Sequence, residues 1–425
     1  MSWKDNLRER LGSWWRGVRL DYSMALRTIV RQKRRSVVGL LAIAAGVVAL
    51  LIAAGFFEWN YEGMREGTIR ARIGHIQVVR KGYLEAGAAN PFAYLIPESG
   101  SDRELVEVFP KVQVLAPRLS FTGLVSLGDA TVSFLGEGVD PEREKKLSGS
   151  LKILSGSDLS AVDAREVILG QGLAETLGVK PGQKVVLLGN TSTRGINAVE
   201  VVVKGVFSTV TKAYDDYALR LPLATAQQLL RTQGVHAWLV LLSDTANTDS
   251  TLRLMRAKVS SPELQFVPWY QTAAADMYNK TVVLFSRQVL VVKAMIAVII
   301  ILSISNTMMT NVRERTSEIG TCMALGDTRR TILRRFVAEG VVMGGLGGLL
   351  GVIVGLAVAY GITAMALPMP PPPGMASGYL AGIRVTPGIV VDALALAVLT
   401  AFLAGLYPAW KASRLEIVDA LRAAR

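Results

Sequence analysis

Residues 36–57, SVVGLLAIAAGVVALLIAAGFF, run for 22 residues without one charged side chain. As a helix, at about 1.5 Å per residue, such a run is about 33 Å long, against about 30 Å for the hydrocarbon core of a bilayer. Three more runs, 287–310, 336–366 and 387–410, are nearly as apolar, and 51% of the 425 residues are hydrophobic. Four membrane-spanning helices are therefore expected. Everything between them has to be either a short connection at a membrane face or a domain outside the bilayer. The 36–57 run follows 35 mostly polar residues and is too long for a secretory signal, so a retained anchor is expected.

The basic residues give an orientation. Segments 1–35, 311–335 and 411–425 together hold 20 Lys and Arg against eight Asp and Glu, whereas 58–286 holds 24 of each. Nearly all of the formal net charge of +13 thus flanks the spans on one side. The positive-inside rule puts that side, with both termini, in the cytoplasm, and the neutral segment outside, in the periplasm if the cell has two membranes. Basic residues at such places set topology and meet anionic lipid, which argues against nucleic acid as a partner. Cys322 stands alone and on the reducing side, so no disulfide supports the exterior domain.

Within 1–35, Trp14, Trp15, Val18, Tyr22, Leu26, Ile29 and Val30 recur at helical spacing, as in a helix lying at the inner interface. Segment 58–286 changes to short β-branched runs, HIQVVR (75–80), ATVSFLG (130–136), KVVLLG (184–189), VEVVVKGVF (199–207) and HAWLVLL (236–242), parted by turn residues. Helical patterns fall at 165–178, 223–234 and 249–261. The expectation is a mixed α+β extracytoplasmic domain of one or two lobes. Between the last spans, 367–386 carries Pro370–Pro373, a stiff polyproline stretch.

The polar interruption between the second and third spans, 311–335, is longer than a connector needs. Arg313 to Met323 is expected to continue the second span as a helix. Gly326 would stop it, and Asp327 or Thr328 would cap the next helix ahead of Ile332, Leu333 and Phe336. Arg315 and Glu318 have the spacing of an intrahelical pair. In the third span, Gly340, Gly344 and Gly348 are spaced by four, as are Gly347, Gly351 and Gly355. Such stripes let helices approach closely, either within the chain or between two subunits. Arg287, Lys293, Glu339 and Asp392 are expected at the membrane interfaces, with Lys293 snorkelling outward. His75 and His236 lie in strand-like runs and read as structural. No GxxxxGK[ST], HExxH, GxSxG or Cys/His cluster is found, so neither catalysis nor ATP hydrolysis is expected of this chain.

The run RERTSEIGTCMALGDTRRTILRRFVAEG resembles the signature of the FtsX-like permease family, the MacB/LolC/LolE group of ABC transporter membrane subunits. The resemblance rests on Glu318-Ile319-Gly320, Ala324-Leu325-Gly326, Ile332, Phe336 and Glu339. GLYPAWKASRLEIVDALR at 405–422 is similar to the family's ending. Ser317 stands where the family has Arg, Asp327 where it has Ala, and Ile417 where proline is more usual.

The resemblance implies four spans, one large extracytoplasmic domain after the first, and a dimer whose second permease chain is identical or a related paralogue. It also implies two copies of a separate ABC ATPase, which bind the ATP and Mg that this chain does not. The segment 311–335 would be the coupling helix region, with Arg315, Glu318, Ile319, Gly320, Ala324, Gly326 and Arg330 seated in the ATPase. The stroke would pass along the second helix, and cargo would be taken from outside or from the outer leaflet. GHIQVVRKGY at 74–83, and the lack of the fused ATPase of MacB, favour lipoprotein or another amphiphile as cargo. The alternatives are MacB-like efflux of peptides, drugs or toxins with a periplasmic adaptor, and FtsX-like control of a cell-wall hydrolase.

Overall fold

The computed structural model describes residues 33–87, 89–147, 151–209, 211–259, 261–370 and 378–416, together with 22, 24, 25 and 27. The interfacial helix expected within 1–35, most of the polyproline stretch and the tail beyond 416 lie outside the described residues. The chain forms two compact units. One holds Met1–Asn60, Val283–Leu367 and Leu380–Arg425; the other holds Tyr61–Val282 and Pro368–Tyr379.

The first unit is helical: α1 (Lys33–Thr68), α2 (Asp276–Glu314), α3 (Thr316–Ala324), α4 (Arg329–Ala364) and α5 (Pro387–Ser413). All but α3 are long and apolar enough to cross a membrane. Ile43, Val47, Leu51, Ile300, Ile304, Met308, Met343 and Ala401 form their shared core. Two helices outrun the sequence expectation. α1 continues past residue 57 to Thr68, and α2 starts at Asp276 rather than 287. Segment 58–68 lacks proline, so a helix nucleated in the apolar run simply propagates through it. The domain boundary expected at 58–286 accordingly falls at Tyr61–Val282.

The glycines of α4 sort onto two neighbours. A Cβ on Gly344 would lie 2.7 Å from Ala401 Cβ and 3.0 Å from Ala397 O, and one on Gly348 3.3 Å from Ala397 Cβ, all on α5. A Cβ on Gly351 would lie 2.8 Å from Ala44 O, and one on Gly355 2.7 Å from Leu51 Cδ1, both on α1. Both stripes are therefore covered by helices of the same chain. Lys293, expected to snorkel outward, pairs with Asp392 at 2.6 Å, tying α2 to α5.

The second unit is built on a ten-stranded sheet: β1 (Ile76–Arg80), β2 (Val112–Leu127), β3 (Ala130–Val139), β4 (Lys152–Gly156), β5 (Glu166–Gly170), β6 (Lys184–Asn190), β7 (Ile196–Ser208), β8 (Ala218–Pro222), β9 (Ala237–Leu242) and β10 (Leu264–Pro268). The order is β10-β1-β9-β2-β3-β8-β5-β7-β4, with β6 bridging β2 and β7. All five runs read as strands from the sequence form strands. The helical reading of 165–178 is half wrong: Glu166–Gly170 is the strand β5 and only Gln171–Leu177 is helix. Every residue of β5 is buried, and a fully buried strand loses the alternation that would mark it.

Four of the charged side chains buried in this unit form a ring. Arg118 reaches Glu137 at 2.9 Å and Glu144 at 2.5 Å, while Arg220 reaches Glu137 at 3.1 Å and Glu144 at 3.0 Å. The ring joins β2, β3, β8 and the helix Pro141–Leu147. Burial opposes the charge on Arg220, yet Tyr214, Glu144 and Glu137 outweigh it and raise its pKa.

Candidate coupling site

The polar interruption folds into a joint, a short helix and a capped restart. At the joint, Arg315 leaves helical geometry (φ −98°, ψ 13°), so α2 ends at Glu314 and α3 begins afresh at Thr316. The expected continuous helix is thus broken. Thr316 Oγ1 donates to Val312 O and Arg313 O, both at 2.9 Å, and such back-bonding bends helices. After α3 the chain turns at Gly326, whose φ of 108° suits a residue without Cβ. Thr328 caps α4 by accepting from the Thr331 amide at 3.3 Å. Asp327, the other candidate cap, bonds Arg335 at 2.6 and 3.4 Å instead and braces the turn against the first turns of α4.

A small apolar core lies beneath this turn. Val312 of α2, Ile319 of α3, Ile332 and Phe336 of α4, and Ala409 and Ala412 of α5 are buried together, with Cys322, Met323, Leu333 and Leu415 packed around them. α3 is therefore seated on the ends of three long helices. The charged groups face outward: Arg313, Glu314, Arg329 and Arg330 are exposed.

The sequence-predicted residues divide into two sets. Ile319 and Gly320 are buried and hold α3 down. Glu318, Ala324, Gly326 and Arg330 are exposed, with Glu318 accepting from Arg315 Nε at 3.1 Å. One residue escaped the sequence reading, and the packing of another could not be read from it. Leu325, at the tip, is 85% exposed, the most exposed large apolar side chain among the described residues. It was hidden inside the Ala-Leu-Gly motif, where nothing marks a leucine as outward. Glu339, expected at an interface, is buried at 6% exposure and lies 3.6 Å from Arg315 Nη1.

Elsewhere, both histidines are held as neutral rings. His75 Nδ1 accepts from the Leu242 amide at 3.0 Å, and His236 Nδ1 from the Ser120 amide at 3.1 Å. Burial lowers the pKa of each to about 4. Among the described residues no three His, Cys, Asp or Glu side chains converge on a metal position.

Two family descriptions match the chain. The MacB-like periplasmic core domain covers residues 36–258, more than half of the sequence, and the FtsX-like permease C-terminal region covers 290–417. The chain belongs to the FtsX-like, MacB-type permease family. The periplasmic core match takes in α1 from residue 36 and the second unit up to residue 258, leaving β10 outside it, and the candidate coupling site falls wholly within the permease match.

Among relatives, the permease is 36% identical over 154 residues to the macrolide export ATP-binding/permease protein MacB of Syntrophobacter fumaroxidans, covering 35% of this chain and 20% of that protein. It is 23% identical over 431 residues to the lipoprotein-releasing system transmembrane protein LolC of Xylella fastidiosa, covering 95% of this chain and 98% of LolC. The permease thus spans only a fifth of the MacB relative but nearly the whole of LolC. The solved periplasmic region of MacB from Actinobacillus actinomycetemcomitans aligns with 49% of the permease and 94% of that chain, at 17% identity and a TM-score of 0.35.

Proposed function

We propose that this permease is the membrane subunit of an ATP-driven transporter whose energy comes from a separate ABC ATPase, which holds the ATP and Mg. Both termini and the α3 turn face the cytoplasm, and the second unit faces the periplasm. One observation carries the reading: Leu325 stands 85% exposed at the tip of a turn that is otherwise firmly seated. An exposed leucine on a rigid, basic-rimmed support has the form of a knob awaiting a pocket. Glu318 and Arg330 flank it, and Arg315 stands behind as a partner to Glu318.

The cargo we propose is a lipoprotein or another lipid-anchored amphiphile taken from the outer leaflet, with the chain acting as one of two permeases in a dimer. Support comes from the near end-to-end similarity to a lipoprotein-releasing subunit. Efflux in the manner of the macrolide exporter is the second reading, favoured by the higher identity over a shorter stretch.

The test is purification of the chain from its native membrane, followed by mass spectrometry of co-purifying proteins. An ABC ATPase in comparable amount is expected. A lipoprotein or related permease alongside it supports lipoprotein release, whereas an adaptor protein supports efflux. Absence of any ATPase under conditions that preserve membrane complexes overturns the reading.

A further inference from the structure

The carboxylate of Glu339 sits where a charge is costly, and the coupling surface itself does not use it. It is 6% exposed, on the eleventh residue of α4, beneath the joint between α2 and α3. Two groups face it. Arg315 Nη1 lies 3.6 Å from Glu339 Oε2, and Asn311 on α2 is the other polar group beside the carboxylate. Asn311 is itself 3% exposed, and its Oδ1 has no hydrogen-bond partner. The cluster thus draws together the end of α2 (Asn311), the joint (Arg315) and α4 (Glu339).

Arg315 is the residue at which the backbone leaves the helix, and it holds two carboxylates at once. Its Nε meets Glu318 on α3, which is 69% exposed, and its Nη1 meets buried Glu339. Of the two, the buried contact is the one that water cannot replace. α3 is only nine residues long and would be marginal without support. Its support is the small core on one side and this ion pair on the other.

We infer that Glu339 is the pin of the α2–α3 joint: through Arg315 it locks the coupling helix onto α4, and its loss lets α3 lift while the helix bundle stays folded. Glu339 is a positioning residue: it is buried and acts on the turn only through Arg315. The functional consequence rests on the reading of α3 as the coupling helix, but the lock itself is a property of this chain alone.

The sequence supplies the probe. Cys322 is the chain's single cysteine, on α3, half-buried against Ile319, Ile332 and Phe336. The rate of its modification by N-ethylmaleimide in the purified full-length chain, in detergent micelles, therefore reports how firmly α3 is seated. Glu339→Gln is expected to raise that rate about five- to tenfold, with the thermal unfolding midpoint of the chain little changed.

Arg315→Gln breaks the same contact from its more exposed side and is expected to do the same, so a folding failure of the first variant does not remove the test. The double variant is expected to label no faster than either single one, because both remove one interaction. Rates within twofold of wild type in both single variants overturn the inference, as does a double variant whose acceleration is the product of the two. Either result leaves the ATPase reading standing. Conversely, failure to recover an ATPase leaves the labelling result intact.

Discussion

His75 Nε2 lies 3.0 Å from Thr245 Oγ1, and that hydroxyl in turn donates to Glu66 Oε1 at 2.5 Å. Because Nδ1 accepts from a backbone amide, the ring proton sits on Nε2 and points at the threonine. The relay ties the last turns of α1, which carry Glu66, to the sheet at the start of β1 and the loop after β9. His236 is held the same way by Ser120 and by Pro91 O, with Tyr83 stacked 5.3 Å away.

Acid is expected to loosen the second unit well before its carboxylates titrate. Each histidine has a folded pKa of about 4 against an ordinary 6.5, so the unfolded chain takes up the proton first. The stability they contribute is complete above pH 6.5 and is lost as the pH falls through that value towards 4. At about 1.4 kcal/mol per pKa unit, each accounts for up to about 3 kcal/mol. Thermal unfolding of the full chain at pH 7.5 and pH 5 measures this. His236→Gln should flatten part of the difference, and an unchanged profile would show that His236 is not buried as a neutral ring.

Breaking the buried ring of four charges from one side is expected to be severe. Arg220→Met leaves Glu137 and Glu144 sharing one cation, Arg118, at a cost of about 3–5 kcal/mol. Denaturant unfolding followed by tryptophan fluorescence reads the change. A loss below about 1 kcal/mol would mean that water reaches the ring.

Glycines one residue apart in α4 should behave oppositely. A Cβ on Gly344 meets Ala401 and Ala397, whereas one on Gly345 meets nothing within 4 Å. Gly344→Val is expected to cost about 1–3 kcal/mol by overpacking, while Gly345→Ala should be neutral or slightly stabilising. Thermal midpoints in detergent separate the two.

At the tip of the coupling turn, Leu325→Asp is expected to alter stability by no more than about 0.5 kcal/mol, as for other exposed positions. It should nevertheless reduce the co-purified ATPase about tenfold or more. Equal recovery of ATPase from the variant would place the docking surface elsewhere.

Patterns that repeat along the chain were legible from the sequence; contacts made across it were not. Long apolar runs mark the four spans because lipid tolerates little else there, and short apolar or β-branched runs bounded by turn residues mark β1, β3, β6, β7 and β9. Gly326 and Thr328 betray the turn by local chemistry alone. By contrast, Arg118 and Arg220 find Glu137 and Glu144 across sheet registers that no local period encodes. Glu339 read as interfacial because its burial depends on where Asn311 and Arg315 arrive from α2. The break at Arg315 was missed for a related reason: the helical pattern continues through it, and only a threonine hydroxyl turns the backbone aside. The outward stance of Leu325 follows from Ile319 and Phe336 claiming the inward positions.

The two glycine stripes of α4 also make that helix intolerant of changes in length. Deleting a single residue between Gly344 and Gly351 would turn everything beyond it by about 100°. Gly351 and Gly355 would then swing off Ala44 and Leu51, leaving bulkier side chains to fill notches cut for none. The extensions of α1 and α2 carry no such paired stripes. Changes in length should therefore be better tolerated in 276–286 than between Gly340 and Gly355, whereas 58–65 must keep its count to hold Glu66 on Thr245.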